Sequence, residues 1–216
     1  MTTTAGLAGT RTPGSRRDAR RDQTRAEVLA AAWTLVRSQG LAGLSMRDLG
    51  EAVGMRAQSV YSYYPSKDAI YDAMFRQGYE EFLAWMARDD DPALPPVEAL
   101  RRTAHRHFAF CTADPVRYQL LFQRTIPGFE PSPDSYAVAV IAIDRLTEEL
   151  TRAGITDPEA VDLATAVITG LTSQQLANDP GGDRWERLVD RSVTMLVAAL
   201  APHLLDPPAT SNGGTT

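Results

Sequence analysis

Apolar side chains recur along this chain at helical spacing, and no stretch alternates apolar and polar residues well enough to predict a strand. Between Arg21 and Gly40 the repeat is carried by Val28, Leu29, Ala32, Trp33, Leu35 and Val36, and Gly40 reads as the stop. Ser45 then precedes Met46, Leu49 and Val53. That is an N-cap ahead of a short apolar stripe, with Asp48 placed as in a capping box and Gly54 as the end. Residues 56–63 predict a third short helix, with Val60 and Tyr64 four apart and Pro65 as its stop. Ser66 caps a longer helix from Lys67 to about Ala87, whose neighbouring faces carry Ile70, Met74, Phe75, Tyr79, Phe82 and Met86.

The rest of the chain repeats this grammar. Helices are expected from about Val97 to Thr112, from Asp114-Pro115 to about Phe122, from about Asp134 to Ala153, from Asp157-Pro158 to about Asn178, and from Asp183 to about Leu204. Residues 125–133 hold three prolines and a glycine and read as a loop; residues 179–182 read as a turn. The expectation is an all-α chain of nine helices with no internal repeat.

Charge divides the chain where composition does not. The 216 residues carry a net charge of −5, yet residues 1–67 hold ten Arg/Lys against five Asp/Glu. A basic amino-terminal third is where a polyanion would bind. Arg11, Arg16, Arg17, Arg20, Arg21 and Arg25 open it, and residues 1–19 are expected to be a disordered basic arm that orders on phosphates. The tail from Asp206, rich in Pro, Ser, Thr and Gly, is expected to be disordered as well. The single cysteine, Cys111, excludes a disulfide within the chain and any Cys-rich metal module. No apolar run approaches the ~20 residues of a membrane span, and the first twenty residues lack the apolar core of a secretory signal. A reduced, cytoplasmic setting is expected.

Chemistry concentrates in residues 45–64. Two short helices joined by a glycine turn make a helix-turn-helix candidate. Gly50 would let the second helix approach closely, Gly54 would supply the positive φ of the turn, and Leu49 and Val60 would bury the seam. Gln58, Ser59, Ser62 and Tyr63 are left on the outer face, suited to phosphates and base edges. A two-helix turn in an unrelated all-α protein has the same pattern.

The wider stretch GLAGLSMRDLGEAVGMRAQSVYSYYPSKDAIYDAMF (residues 40–75) closely resembles the N-terminal domain of the TetR family of transcriptional regulators. The matches are Gly40, Leu44, Ser45, Leu49, Ala52, Gly54, Val60, Tyr61, Tyr64, Ser66, Lys67 and Ala69. Arg56, Gln58 and Gly50 stand where the family usually has Ser or Thr, Gly or Pro, and Ala. Arg56 and Gln58 add polar reach at the start of the third helix and imply an unusual operator rather than lost binding. The resemblance covers about residues 20–85, and TGLTSQQLANDPGGDRW (169–185) is similar, more weakly, to C-terminal domains of some actinobacterial members.

The resemblance implies a homodimer with a helix-turn-helix domain (20–66) and a ligand-binding and dimerisation domain (67–205). Carried over, the DNA face is Ser45, Arg47, Ala57, Gln58, Ser59, Tyr61, Ser62, Tyr63 and Lys67, with Ser45 near a phosphate, Gln58 reading an adenine, and Tyr64 in the core. The effector pocket is expected among Phe82, Trp85, Met86, His107, Phe108, Cys111, Tyr118, Phe122 and Tyr136, any one of which reads equally as core. The helices at 157–178 and 183–204 are apolar on more than one face, which fits a dimer interface or full internal burial.

Catalysis finds little support. His105 and His107 lie ~200° apart around a helix and cannot chelate together. Cys111, four residues after His107, could meet it, but no third group is evident. Asp89, Asp90 and Asp91 read as a solvated loop, and no phosphate loop, nucleophile elbow or metal motif appears. The expectation is a ligand-responsive regulator without cofactor or metal, most simply a repressor released from a palindromic operator by a small molecule. The rival is a cytosolic all-α enzyme or small-molecule carrier with a vestigial helix-turn-helix.

Overall fold

A computed structural model of the chain describes residues 16–88 and 91–205. Among the described residues all regular structure is helical, in nine α-helices and three short 3-10 turns. The helices are α1 (Arg16–Gln39), α2 (Met46–Ala52), α3 (Ala57–Val60), α4 (Lys67–Met86), α5 (Pro96–Ala113), α6 (Pro115–Phe122), α7 (Pro133–Arg152), α8 (Ala160–Asn178) and α9 (Val189–Leu200). Residues 1–15 of the expected basic arm and the tail from Asp206 lie outside the described residues. Arg16–Ala19 do not belong to a disordered arm: they form the first turn of α1. Arg and Ala are good helix formers, and Asp18 sits where the helix dipole favours an anion.

The chain forms two compact units, one ending at Ile70 and one beginning at Tyr71, so the division falls inside α4. In the first unit α1 packs on α2, and α2 on α3. Val28, Ala32, Trp33 and Val36 of α1 are buried, as are Leu41, Leu44, Leu49, Val60 and Tyr64.

In the second unit α5 packs on α6, α7, α8 and α9. One buried cluster joins Phe75, Tyr79 and Phe82 of α4 to Phe110, Cys111, Tyr118 and Leu121. A second joins Leu100 to Leu150, Ala160, Val193 and Val197. Polar ties fix the helix ends. Asp114 caps α6 by accepting from the Arg117 N–H at 3.1 Å, with Pro115 in the first turn. Asp72 of α4 accepts from the Ser132 N–H (2.6 Å), the Ser132 hydroxyl (3.0 Å) and the Ser135 hydroxyl (2.9 Å), and so seats the start of α7.

The last helix starts later than its apolar pattern predicts. The buried side chain of Gln175 donates to the Asp179 and Gly182 carbonyls and accepts from the Trp185 N–H. Asp179 accepts from the Arg184 N–H at 2.9 Å. These side chains hold the 179–185 turn, and Asp183 is not the cap expected of it. After a 3-10 turn at Glu186–Leu188, α9 begins at Val189.

Replacing Asp72 with Ala should lower stability by ~1–3 kcal/mol, because a helix start loses its acceptor and two hydroxyls lose their partner. Urea unfolding followed by circular dichroism measures it; an unchanged midpoint would show that the Ser132 cap alone suffices.

Candidate nucleic-acid interface and ligand cavity

Ser45 caps α2 by accepting from the Asp48 N–H at 3.1 Å. The turn that follows depends on two glycines, as the spacing predicts. Gly54 has φ of 68°. At Gly50 a Cβ would stand 2.7 Å from the Met55 carbonyl oxygen and 3.0 Å from the Ala57 nitrogen. Both neighbours are backbone, so a side chain here would require the backbone of α2 or of the start of α3 to shift, whereas glycine admits this approach as it stands.

Regular α-structure in α3 ends at Val60, short of the expected 56–63. The chain winds on through Tyr61–Tyr63 with bonds from Ser62 to the Ser59 carbonyl (3.2 Å) and from Tyr63 to the Val60 carbonyl (2.9 Å). Pro65 disfavours helical geometry at Tyr64. The freed carbonyls are taken by α1: the Arg21 guanidinium donates to Ser62 O at 3.1 Å and that of Arg25 to Tyr63 O at 2.8 Å. Arg25 also lies 4.5 Å over the Tyr64 ring, while the Tyr64 hydroxyl donates to Arg25 O at 3.2 Å. Burial raises the pKa of that hydroxyl. The sequence counts Arg21 and Arg25 only in the basic amino-terminal third where a polyanion would bind; the structure uses them to fix the end of the third helix.

Arg47, Gln58, Ser59, Tyr61 and Ser62 are exposed, and Ser45, Ala57, Tyr63 and Lys67 are half-buried. Gln58 and Ser59 face outward while Val60 is fully buried beside them. Arg47 pairs with Glu51 at 3.1 Å on the surface of α2. The Lys67 ammonium donates to Ala42 O at 3.2 Å. Tyr64 is in the core, as expected.

The second unit holds a cavity of about 980 Å³ lined by α4 to α9 and by the 91–94 segment ahead of α5. Of the expected pocket residues, Phe82, Met86, His107, Phe122 and Tyr136 line it. Trp85, Phe108, Cys111 and Tyr118 do not, which corrects the sequence reading. The Trp85 indole N–H is bonded to Arg106 O at 3.0 Å. Phe108 is buried one residue further round α5. Cys111 is sealed in the aromatic cluster, where burial raises its thiol pKa. The Tyr118 hydroxyl is held by Ser173 Oγ at 2.7 Å. Residues missed by sequence reading are Val140 and Ile143 on α7. With Tyr136 they recur at helical spacing, and they stay 41%, 46% and 56% exposed, respectively, while lining the cavity. That period was visible in the letters.

His107 is a polar group set in the aromatic part of the wall. Its ring lies 5.5 Å from that of Phe82 and 5.1 Å from that of Phe122. Its Nε2 is buried without a hydrogen-bond partner, and burial lowers its pKa to about 4. His105 is engaged elsewhere, with Asp190 at 2.8 Å. Arg102, Arg106, Arg145 and Arg152 line the cavity together with Asp91, Glu148 and Glu149. Arg106 donates to Met86 O, Arg145 to Leu83 O, and Glu149 accepts from the Thr103 hydroxyl. Among the described residues no three His, Cys, Asp or Glu side chains gather as a metal site.

The model of the family described as bacterial regulatory proteins, tetR family, matches residues 28–74, which run from α1 through the glycine turn into α4. The helix-turn-helix segment belongs to the TetR family. Among relatives, the HTH-type transcriptional regulator Rv1816 of Mycobacterium tuberculosis is 29% identical over 126 residues, 57% of this chain and 53% of that protein. The match thus spans about half the length of this relative. The fold recurs in the transcriptional regulator FadR from Bacillus subtilis in complex with stearoyl-CoA, with a TM-score of 0.64, 18% identity and coverage of 80% of this chain and 97% of that one. It recurs also in AibR in complex with isovaleryl coenzyme A and operator DNA, with a TM-score of 0.61, 21% identity and coverage of 79% and 96%.

His107 links stability to pH. Its folded pKa lies below the unfolded value of about 6.5. Its contribution is therefore complete above that value and is lost as pH falls toward 4. Between pH ~7.5 and ~5 the native chain should lose ~2 kcal/mol more than the His107→Gln variant, since each tenfold change in proton affinity on folding is worth ~1.4 kcal/mol. Urea unfolding at the two pH values measures the difference; equal losses would mean that the imidazole takes up its proton in the folded state.

Proposed function

We propose that this protein is a homodimeric TetR-family repressor that binds a palindromic operator and releases it when a small molecule enters the second-unit cavity. The observation that carries the DNA-binding half is the outward polar face of Gln58 and Ser59 on α3 and of Ser62 in the turn after it, on an element held against α2 at Gly50. In this reading Gln58 reaches a base edge, its amide matching the donor and acceptor of adenine. Arg47, Ala57, Tyr61 and Ser62 border it. Ser45, Ser59, Tyr63 and Lys67 meet phosphates and sugars, with Lys67 exchanging its bond to Ala42 for a phosphate oxygen. The names of the curated relatives, which describe transcriptional regulators rather than enzymes, support the assignment.

Dimerisation is assigned to α8 and α9. Leu163, Ala166 and Gly170 form an exposed stripe on α8; Met195, Ala198 and Ala199 form one on α9, where Met195 is 64% exposed. Small residues flanking a large apolar one allow close helix packing on a partner copy. Two copies would present their third helices one duplex turn apart, ~34 Å, over two half-sites. For the cavity, support comes from its size, within the range of ligand sites, and from the two related folds whose structures contain coenzyme A thioesters. No helix among the described residues is long and apolar enough to cross a membrane. The cytoplasm is the compartment that DNA as a partner requires.

Fluorescence anisotropy with DNA from upstream of the protein's own gene tests the assignment. Retention on one sequence should exceed that on scrambled DNA and fall steeply with salt. Gln58→Ala should cost ~1–3 kcal/mol at one operator position and relax the preference there. Equal loss on every sequence would confine Gln58 to the backbone, and salt-insensitive or absent binding would remove the regulator assignment.

A further inference from the structure

The cavity wall says what kind of molecule it takes. Its apolar lining includes the exposed α7 stripe of Tyr136, Val140 and Ile143, hydrophobic surface that water does not reward and that a ligand would cover. Against this lining stands one buried and unpaired nitrogen, Nε2 of His107, between the rings of Phe82 and Phe122. A buried polar atom without a partner lowers stability relative to an apolar side chain of similar shape, so its place between two aromatic rings on the cavity wall calls for a partner. No other side chain supplies it.

Building on the repressor reading of the same cavity, the geometry points to an uncharged, mainly apolar effector with one hydroxyl or carbonyl oxygen, which pairs with His107 Nε2. Two observations favour an uncharged molecule over an acid or a coenzyme A thioester. Around the imidazole the ring neighbours are Phe82 and Phe122, so a carboxylate brought there would give up its water for a single neutral hydrogen bond. The charged residues that line the cavity carry both signs, and Arg106 and Arg145 already donate to carbonyls at the end of α4. They do not form a dedicated cationic cradle. Neutral imidazole can act as donor or acceptor at Nε2 according to its tautomer, which accommodates either a carbonyl or a hydroxyl.

The test uses the full chain and a neutral dye, N-phenylnaphthylamine, whose fluorescence rises on entering an apolar site. Methyl decyl ketone, lauric acid and lauroyl-CoA then compete for it. The ketone should displace the dye at a concentration at least about tenfold below that of the acid or the thioester, the margin that one well-placed buried hydrogen bond gives. His107→Leu should weaken ketone binding by about tenfold and leave dye affinity within about twofold, and His107→Gln should recover most of the loss. Equal or tighter binding of the acid or the thioester overturns the inference, as does ketone binding that ignores His107→Leu. The comparison of competitors on the native chain stands even where the leucine variant does not fold. Failure of the native chain to take up the dye overturns both this inference and the ligand half of the proposed function. Dye uptake without His107 dependence overturns this inference alone, and operator anisotropy on the same preparation reports the DNA half separately.

Discussion

The contact on which the first unit depends is the backbone approach at Gly50. A methyl group there would collide with the Met55 carbonyl oxygen and the Ala57 nitrogen, neither of which can swing aside as a side chain can. With that space empty, α3 lies close to α2, Val60 is wholly buried, and the residues on either side of it must look outward. Polar Gln58 and Ser59 are thus presented because an apolar neighbour is drawn in. The same geometry leaves too little room for a long helix before Pro65, and the chain ends the element by giving its carbonyls to arginines of α1.

The second unit follows the opposite rule. Its two apolar clusters pack closely around α5, but α7 keeps apolar side chains on a cavity instead of closing on them. Asp72 and its bonds to Ser132 and Ser135 hold the start of α7 without any need for apolar closure along its length. At the other end of the unit, Gln175 does similar work for the 179–185 turn. Polar anchors at helix ends let apolar packing be incomplete in the middle, which is how a small protein keeps a ligand-sized space without collapsing into it.

Helix number, order and type were legible because each rests on local rules: periodic apolar residues, Ser and Asp caps, and Gly and Pro stops. The roles of Gly50 and Gly54 were legible for the same reason, since one turn confines both. What escaped were contacts between residues far apart in sequence. Arg21 and Arg25 read as free cations until the carbonyls of Ser62 and Tyr63, about forty positions away, are seen beside them. The late start of α9 escaped because its cause is the side chain of Gln175, ten residues earlier than the N–H of Trp185 that it holds. In the cavity, large aromatic type proved a poor guide. Trp85, Phe108, Cys111 and Tyr118 are as apolar as the residues that line it, and only their hydrogen bonds and burial direct them elsewhere. The α7 stripe, by contrast, is written in the period, but aliphatic residues at helical spacing usually mean core and do not by themselves mark a cavity wall.

The internal use of Arg21 and Arg25 does not diminish the positive charge of the first unit. A guanidinium bonded to a neutral carbonyl keeps its full charge, and its field still reaches across about 8 Å of physiological salt solution. Arginine suits this double duty better than lysine. Its planar fork donates to Tyr63 O while its face lies on the Tyr64 ring, and it cannot lose its proton under any ordinary condition. The chain has a single lysine, Lys67, whose ammonium donates to the Ala42 carbonyl at 3.2 Å. A compact point charge on a flexible stem can let go of that carbonyl and take a phosphate at modest cost. The arginines that carry the end of the third helix cannot do so without loosening the element they hold. Under the proposed DNA-binding reading, side-chain chemistry divides the labour: the arginines set the shape and the field, and Lys67 is the cation that would exchange its carbonyl for a phosphate.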